Sequence, residues 1–256
     1  MANYAYYDKE RKQKIQASNP DIIKYKGKRC YCKNKSCDAH MYIHDPEHPK
    51  DAYFQSHGQP GHNGSCGITE TKHFDPSKFV EKQFDFLEVM QKLEVPTVSK
   101  PSGTKGTGNG DGNNIVLSTV KQIYNMCTNT PEDEKYNGKY IWDMLADDRS
   151  FHYYKEGIDG YKLAECNYYQ YDASSKSLIM NFPCFPDKKY YIQIQFDEEA
   201  LYKEKQNVFY KMGHFGIIVI AGHWKKVNYK VNGLEIKAHC LIHDKKQIAV
   251  MKKETK

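Results

Sequence analysis

Runs of aromatic and β-branched residues fill the last hundred residues of the chain and predict a set of strands. A helix-like pattern interrupts them at 197–211, where Leu201, Val208 and Phe209 are apolar among Glu and Lys. Asn232-Gly233, the strongest short hairpin signal, separates two of the runs. The runs are 161–171, 177–182, 190–196, 215–220, 229–231, 234–242 and 248–251.

The order of these elements narrows the fold class. Three strands, a helix and at least two further strands are the element order of the OB-fold, a five-stranded barrel with its helix between the third and fourth strands. We therefore expect an α+β chain whose C-terminal part is an OB-like β-barrel. Helical patterns at about 115–128 and 139–148 predict two helices ahead of the barrel.

Another helix is predicted just before residue 96. Asp75-Pro76-Ser77 supplies an N-cap and a proline at the first helical position. We expect the apolar face of this helix to pack on the module that precedes it, or on a partner if that module is too small to cover the face. Val95-Pro96 ends the helical spacing of Phe79, Phe86, Leu87, Met90 and Leu93.

Residues 96–113 predict a flexible linker. Together with Asn114 they include five Gly and two Pro and, apart from Val98, no large hydrophobic side chain. Such a segment cannot offset its ordering entropy by burial. The sequence therefore predicts an N-terminal module with its closing helix at 1–95, a linker at 96–113 and a C-terminal domain at 114–256.

Cysteine and histidine are crowded into one short segment of the N-terminal module. Structural zinc takes four ligands in a tetrahedron, commonly as two close pairs. Cys32 and Cys37 fit the first pair, while His62 and Cys66 fit the second. Short strands around 41–43 and 52–54 would join the pairs as a small hairpin. We therefore predict a structural Zn²⁺ site with these four ligands.

Other ligand sets remain open. Cys30 is an alternative to Cys32, and His40 or His57 is an alternative to His62. A catalytic zinc keeps an open coordination position, usually with a Glu base nearby. The only glutamate inside the segment, Glu47, is at the predicted hairpin tip. This placement favours a closed structural site over a catalytic one.

The same segment resembles a known module. Its Cys-x4-Cys spacing, its Met41-Tyr-Ile and Tyr53-Phe steps and its His-x3-Cys spacing are similar to the zinc-finger-like N-terminal region of competence-protein CoiA-like proteins. The resemblance covers residues 22–67 and implies a zinc-bound hairpin. In that family a nuclease domain follows. Its acidic motif has no match in this chain, so the resemblance does not extend to nuclease activity.

Charge is unevenly distributed along the chain. The net charge is +6, but residues 1–35 carry +7 and residues 225–256 carry +6, which leaves about −7 between them. Two basic ends around an acidic middle would steer a polyanion.

No run approaches the roughly 18 apolar residues of a membrane helix, and the N-terminus lacks a hydrophobic signal region. We therefore expect a cytoplasmic protein with no membrane partner.

Tyrosines and lysines of the predicted strands point to a nucleic-acid partner. Strand side chains alternate between faces, so we expect Tyr169 and Tyr171 on one face and Tyr168 on the other. Exposed rings beside lysines would bind single-stranded DNA or RNA as OB-folds do. The predicted nucleic-acid-binding residues are Lys188, Lys189, Lys225, Lys226, Tyr169, Tyr171 and Tyr191.

The favoured interpretation is a non-enzymatic nucleic-acid-binding protein with a structural zinc site and no catalytic residue. One alternative is an intracellular adaptor or inhibitor that binds a protein partner, which suits the acidic middle of the chain. Another is a metal-dependent nuclease, for which Glu235-Ile-Lys237 supplies half of a metal-binding motif.

Overall fold

The computed structural model describes the chain in eight ranges. They are 2–34, 37–49, 52–56, 60–62, 74–96, 115–184, 188–213 and 216–251. The architecture is α+β, as predicted, with a small antiparallel sheet, a larger sheet and few helices. No helix in these ranges combines the length and the apolar character needed to cross a membrane.

The small sheet is formed by β1 (Tyr4–Tyr6), β2 (Lys14–Gln16), β3 (Cys30–Tyr31), β4 (His40–His44) and β5 (Tyr53–Ser56). The strands are ordered β2-β1-β3-β4-β5, and every neighbouring pair is antiparallel. The predicted hairpin is present as β4 and β5. Its apolar side chains, including Met41 and Phe54, are buried with Ile22 in a core of their own.

The described ranges contain four α-helices: α1 (Phe86–Glu94), α2 (Val120–Asn129), α3 (Ile141–Met144) and α4 (Glu199–Met212). The predicted cap at Asp75 begins only one short turn, Pro76–Lys78, and α1 begins ten residues later, where the Asp85 side chain accepts the Glu88 N–H at 3.0 Å. The helix predicted at 139–148 is reduced to α3, because the residues on either side of it pair as strands.

Helix α1 packs on the larger sheet and not on the small one. Met90 and Leu93 are buried together with Ile123 of α2 and with Val219 and Ala221 of the larger sheet. This corrects the expectation that the helix closes the N-terminal module. An apolar stripe identifies the face of a helix that is buried, but it does not identify the surface that buries it.

The remaining strands are β6 (Lys135–Tyr136), β7 (Lys139–Tyr140), β8 (Leu145–Ala146), β9 (Gly160–Asp172), β10 (Ser177–Phe182), β11 (Tyr190–Phe196), β12 (Ile217–Val231), β13 (Leu234–Ile242) and β14 (Ile248–Met251). β6 and β7 pair with each other. Residues 217–220 of the run predicted at 215–220 belong to the single strand β12, together with the run predicted at 229–231. Exposed His223, Lys225 and Lys226 interrupt its apolar pattern, so the sequence did not join the two runs.

Five strands of the larger sheet pair in a closed ring in the order β9-β10-β11-β13-β12, and β12 returns to β9. The β11–β13 pair is parallel and the other four pairs are antiparallel. β8 and β14 extend the sheet outside the ring through β9 and β12. Inside the ring, Met180, Ile192 and Trp224 are fully buried, and Phe209 of α4 joins the same cluster.

The predicted linker at 96–113 lies outside the described residues, apart from Pro96. The proposed division into two domains at this segment therefore stays a prediction.

Candidate metal centre and aromatic face

Three predicted metal ligands meet at the edge of the small sheet. The side-chain ligand atoms of Cys32, Cys37 and His62 all lie within 4.8 Å of one another, and Cys37 Sγ is 3.4 Å from His62 Nδ1. A tetrahedral zinc ion with Zn–S near 2.3 Å and Zn–N near 2.0 Å separates its ligand atoms by about 3.5–3.8 Å. The three side chains are therefore arranged as ligands of a single metal ion.

The local backbone explains this convergence. Cys32 follows directly after β3, and its N–H donates to the Ala39 carbonyl at 3.1 Å, which folds the chain back on itself. Within the turn, the Asn34 N–H donates to Cys32 Sγ at 3.4 Å and the Cys37 N–H donates to the Asn34 carbonyl at 3.1 Å. Backbone donors around a cysteine sulfur stabilise a thiolate.

The segment that carries His62 is brought to the turn by a backbone hydrogen bond. The His40 N–H, at the start of β4, donates to the Pro60 carbonyl at 3.1 Å. This contact places residues 60–62 beside the cysteine turn. Both cysteines are buried and His62 is half-buried.

Arg11 holds the cysteine turn from the side of β2. Its guanidinium donates to the carbonyl oxygens of Cys32 at 3.2 Å, Asn34 at 3.3 Å and Cys37 at 2.7 Å. Its own backbone has a φ of +55°, a conformation that is uncommon outside glycine. Nothing in the cysteine spacing indicates this role, because Arg11 precedes the turn by about twenty residues.

Two of the alternative ligands do not join the cluster. Cys30 pairs across the sheet with Met41 in the apolar core, where burial raises the pKa of its thiol to about 11. His40 packs edge-on against the Tyr31 ring, with centroids 5.8 Å apart. The predicted fourth ligand, Cys66, and the alternative His57 lie outside the described residues.

A pair of tyrosines lies on the outer face of the strand ring. Tyr191 alternates along β11 with Tyr190 and Ile192, which both face the inner core. Its ring lies 4.8 Å from that of Tyr169. Interaction with Tyr191, through a hydrogen bond and charge, raises the pKa of Tyr169. Lys188 Nζ lies 4.2 Å from the centre of the Tyr191 ring, within the range of a cation–π contact.

Tyr171 lies on the opposite face of β9. The pairing of β9 with β10 shifts by one residue between Ile179 and Met180, so Tyr168 opposes Met180 while Tyr171 opposes Leu178. Both partners belong to the inner core, and directly opposed residues share a face. The expectation that Tyr169 and Tyr171 share a face is corrected, because this β-bulge breaks the simple alternation.

The two lysines predicted on β12 also lie on opposite faces of their strand. Lys225 opposes His239, whereas Lys226 opposes Ala238 of the inner core, so the two lysines extend from opposite faces of β12. Both are exposed. Lys189 is also exposed, beside Lys188 at the start of β11.

The outer face also carries polar residues that sequence reasoning missed. Gln193 Nε2 donates to Ser177 Oγ at 2.7 Å, and the Tyr229 hydroxyl donates to Gln193 Oε1. His239 lies beside Gln193 in the parallel β11–β13 pair, where burial and then the charge of Lys225 lower its pKa. The sequence does show polar residues at alternate positions of these strands. It does not show the register that brings polar residues of different strands together.

The nuclease alternative has no assembled acidic site among the residues that the structure describes. Lys237 Nζ lies 3.9 Å from Glu235 and 3.8 Å from Glu156, as in a surface ion pair. The one group of three possible metal ligands found in the described ranges is that of Cys32, Cys37 and His62.

Searches of protein-family models, curated proteins and solved structures found no match to this chain.

Proposed function

We propose that this protein binds single-stranded nucleic acid on the outer face of an OB-like barrel and uses a structural zinc ion to hold its small sheet. The observation that carries the proposal is the outer face itself, where Tyr169, Tyr191 and Lys188 combine two aromatic rings with a positive charge.

The strand order supports the OB-like part of the proposal. An OB barrel has five strands and a helix between its third and fourth strands. The closed ring contains five strands, and α4 connects the third of them, β11, to the fourth, β12. The outer face of β10 and β11 then corresponds to the surface on which OB-folds bind oligonucleotides.

The chemistry of that face suits an unpaired strand. Aromatic rings stack on bases of any sequence, and lysines neutralise the phosphates. Lys188 and Lys225 lie on this side of the molecule, and exposed Lys189 follows Lys188 along the chain. Duplex DNA would hide its bases from such a face, so a single strand is the proposed ligand.

Zinc is the proposed metal because of the ligand types. Two cysteine thiolates and an imidazole are preferred zinc ligands, and closed sites with four protein ligands are structural. Cys66 remains the proposed fourth ligand. The resemblance to the CoiA-like module is a further reason to propose zinc.

Salt dependence of oligonucleotide binding tests the nucleic-acid proposal. We expect affinity for a fluorescent oligothymidylate to fall with salt, because each phosphate contact on a single strand contributes about −0.7 to the log–log slope. Lys188→Ala and Lys225→Ala should each flatten the slope by about that amount. Lys226→Ala is the matched control, since its side chain extends from the other face. Absence of binding at low salt would contradict the proposal.

A protein partner is the second candidate, and a second group of rings favours it. Trp142 stacks between Tyr140 and Tyr153, with ring centroids 5.7 and 4.3 Å apart. Tyr140 is 40% exposed and Tyr153 is 49% exposed. Exposed aromatic clusters are typical of protein-binding surfaces. If no oligonucleotide binds, a photo-crosslinker at position 153 should capture one defined protein, whereas one at exposed Tyr210 should not.

A further inference from the structure

Lys33 lies between the two cysteine ligands, yet its side chain is buried against the larger body of the protein. Only 6% of the residue is exposed. Its ammonium group donates to the Thr128 carbonyl in the last turn of α2 and lies 5.5 Å from the centre of the Tyr4 ring. A cation is stabilised there, because the terminal carbonyls of a helix carry partial negative charge.

A buried ionic cluster surrounds this contact. Arg149 lies 2.6 Å from Asp147 and donates to the Tyr4 hydroxyl at 3.1 Å. It also donates to the Thr130 carbonyl at 3.1 Å, just beyond the end of α2. Glu165 of β9 accepts a hydrogen bond from the Tyr124 hydroxyl at 2.6 Å. Burial, and then the charge of Arg149, lower the pKa of Lys33 to about 8, while Asp147 and Glu165 act in the opposite direction.

Charge balance in this cluster depends on both sheets. The ion pair of Arg149 with Asp147 comes from the larger body, whereas Lys33 comes from the turn that carries the metal ligands. Removing one member of a buried group of charges leaves the others uncompensated and is strongly destabilising. The cysteine turn is therefore an electrostatic part of the larger body, although its strands belong to the small sheet.

We propose that Lys33 is a positioning residue that couples metal binding to the docking of the small sheet on α2. This inference rests on the proposed metal site. When Cys32 and Cys37 bind one ion, the turn that joins them is held closed, and Lys33 is held where it reaches Thr128. Coupling of this kind is reciprocal. The docked sheet raises metal affinity by the same factor by which the metal strengthens docking.

A cleavable form of the full chain measures the coupling. A protease site inserted between Glu70 and Thr71 separates the small sheet from α1 and everything after it. With Zn²⁺ bound, the cleaved pieces should elute together in gel filtration. Lys33→Met should weaken their association about tenfold to a hundredfold, the value of a charged hydrogen bond. Lys14→Met is the matched control, because the Lys14–Asp133 pair at 2.7 Å is at the exposed rim and is worth about fivefold or less.

Zinc affinity of the uncleaved chain provides the second measurement. In competition with a chelator, Lys33→Met should bind one Zn²⁺ with an affinity lowered by the same factor, and Lys14→Met should match the unaltered protein. Equal zinc affinity and equal association for the two variants would overturn the inference while leaving the zinc site intact. A chain that binds no zinc would overturn the proposed metal site and the inference together.

Discussion

At the scale of single residues, a one-residue shift in pairing determines which tyrosines share the outer face. The bulge between Ile179 and Met180 keeps Tyr169 beside Tyr191 and turns Tyr171 toward the inner face. The side chains of Tyr169 and Tyr171 differ in surroundings and not in chemistry. They therefore form a matched pair for testing the proposed stacking surface.

We expect Tyr169→Ala and Tyr191→Ala to weaken binding of an oligothymidylate by roughly 1–3 kcal/mol per stacked base. The salt slope should be unchanged, because a tyrosine neutralises no phosphate. Tyr171→Ala, which removes a ring that is 49% exposed on the other face, should change affinity less than twofold. Fluorescence anisotropy measures the affinities, and thermal unfolding of each variant checks its stability. Equal losses at all three positions would contradict the assignment.

Glu165 gives a pH-dependent prediction. Burial and then the charge of Asp147 raise its pKa in the folded protein. The folded state therefore binds this proton more tightly than the unfolded state, and the resulting stabilisation is lost as the pH rises through the folded pKa. Glu165→Gln keeps an acceptor for Tyr124 without the charge. Its stability relative to the unaltered protein should rise with pH, by at most about 1.4 kcal/mol per pH unit.

Urea unfolding between pH 5 and pH 8 measures this difference. Glu88→Gln, at an exposed position of α1, is the control for the loss of one negative charge. If the two variants show the same pH dependence, Glu165 does not retain its proton in the folded state.

At the scale of elements, α1 connects the N-terminal half of the chain to the larger sheet. Met90 and Leu93 fill the space beside Ile123 and Val219, so the helix belongs structurally to the part of the protein that follows the predicted linker. A fragment that begins after residue 113 would lose this helix and expose the apolar surface beneath it.

The packing of α1 changes what proteolysis is expected to show. Cleavage within 97–113 should occur, because exposed segments rich in Gly and Ser are preferred sites. The two pieces should nevertheless elute as one particle, since α1 remains bound. Met90→Ala should destabilise the protein by about 2–5 kcal/mol, as for other fully buried large side chains. A C-terminal fragment that separates and remains folded would instead favour two independent domains.

At the scale of the whole molecule, the basic N-terminal stretch meets the acidic middle of the chain at the exposed rim of the small sheet. Lys14 of the basic N-terminal stretch lies 2.7 Å from Asp133, and Gln16 donates to Glu134. Part of the acidic middle therefore faces the small sheet.

Metal analysis tests the zinc proposal for the intact protein. We expect one Zn²⁺ per chain in protein purified without a histidine tag. Cys37→Ser should abolish zinc binding and unfold the small sheet, because metal binding and folding are coupled in small modules. Cys30→Ser should retain the zinc, since Cys30 lies in the apolar core and outside the cluster. Loss of zinc in Cys30→Ser with retention in Cys37→Ser would reverse the assignment.

The sequence by itself determined the α+β class, the hairpin at β4 and β5, most of the strands of the ring and the cysteine- and histidine-rich segment that supplies the candidate metal ligands. These features depend on local patterns and on ligand spacing, which the chain carries in short segments. Only the tertiary structure decided which segments of the chain contact each other. It placed α1 on the larger sheet, separated Tyr171 from Tyr169, and brought Arg11 and Lys33 to the cysteine turn. Each of these depends on register or on contacts between distant segments, and no local pattern of residues encodes either one.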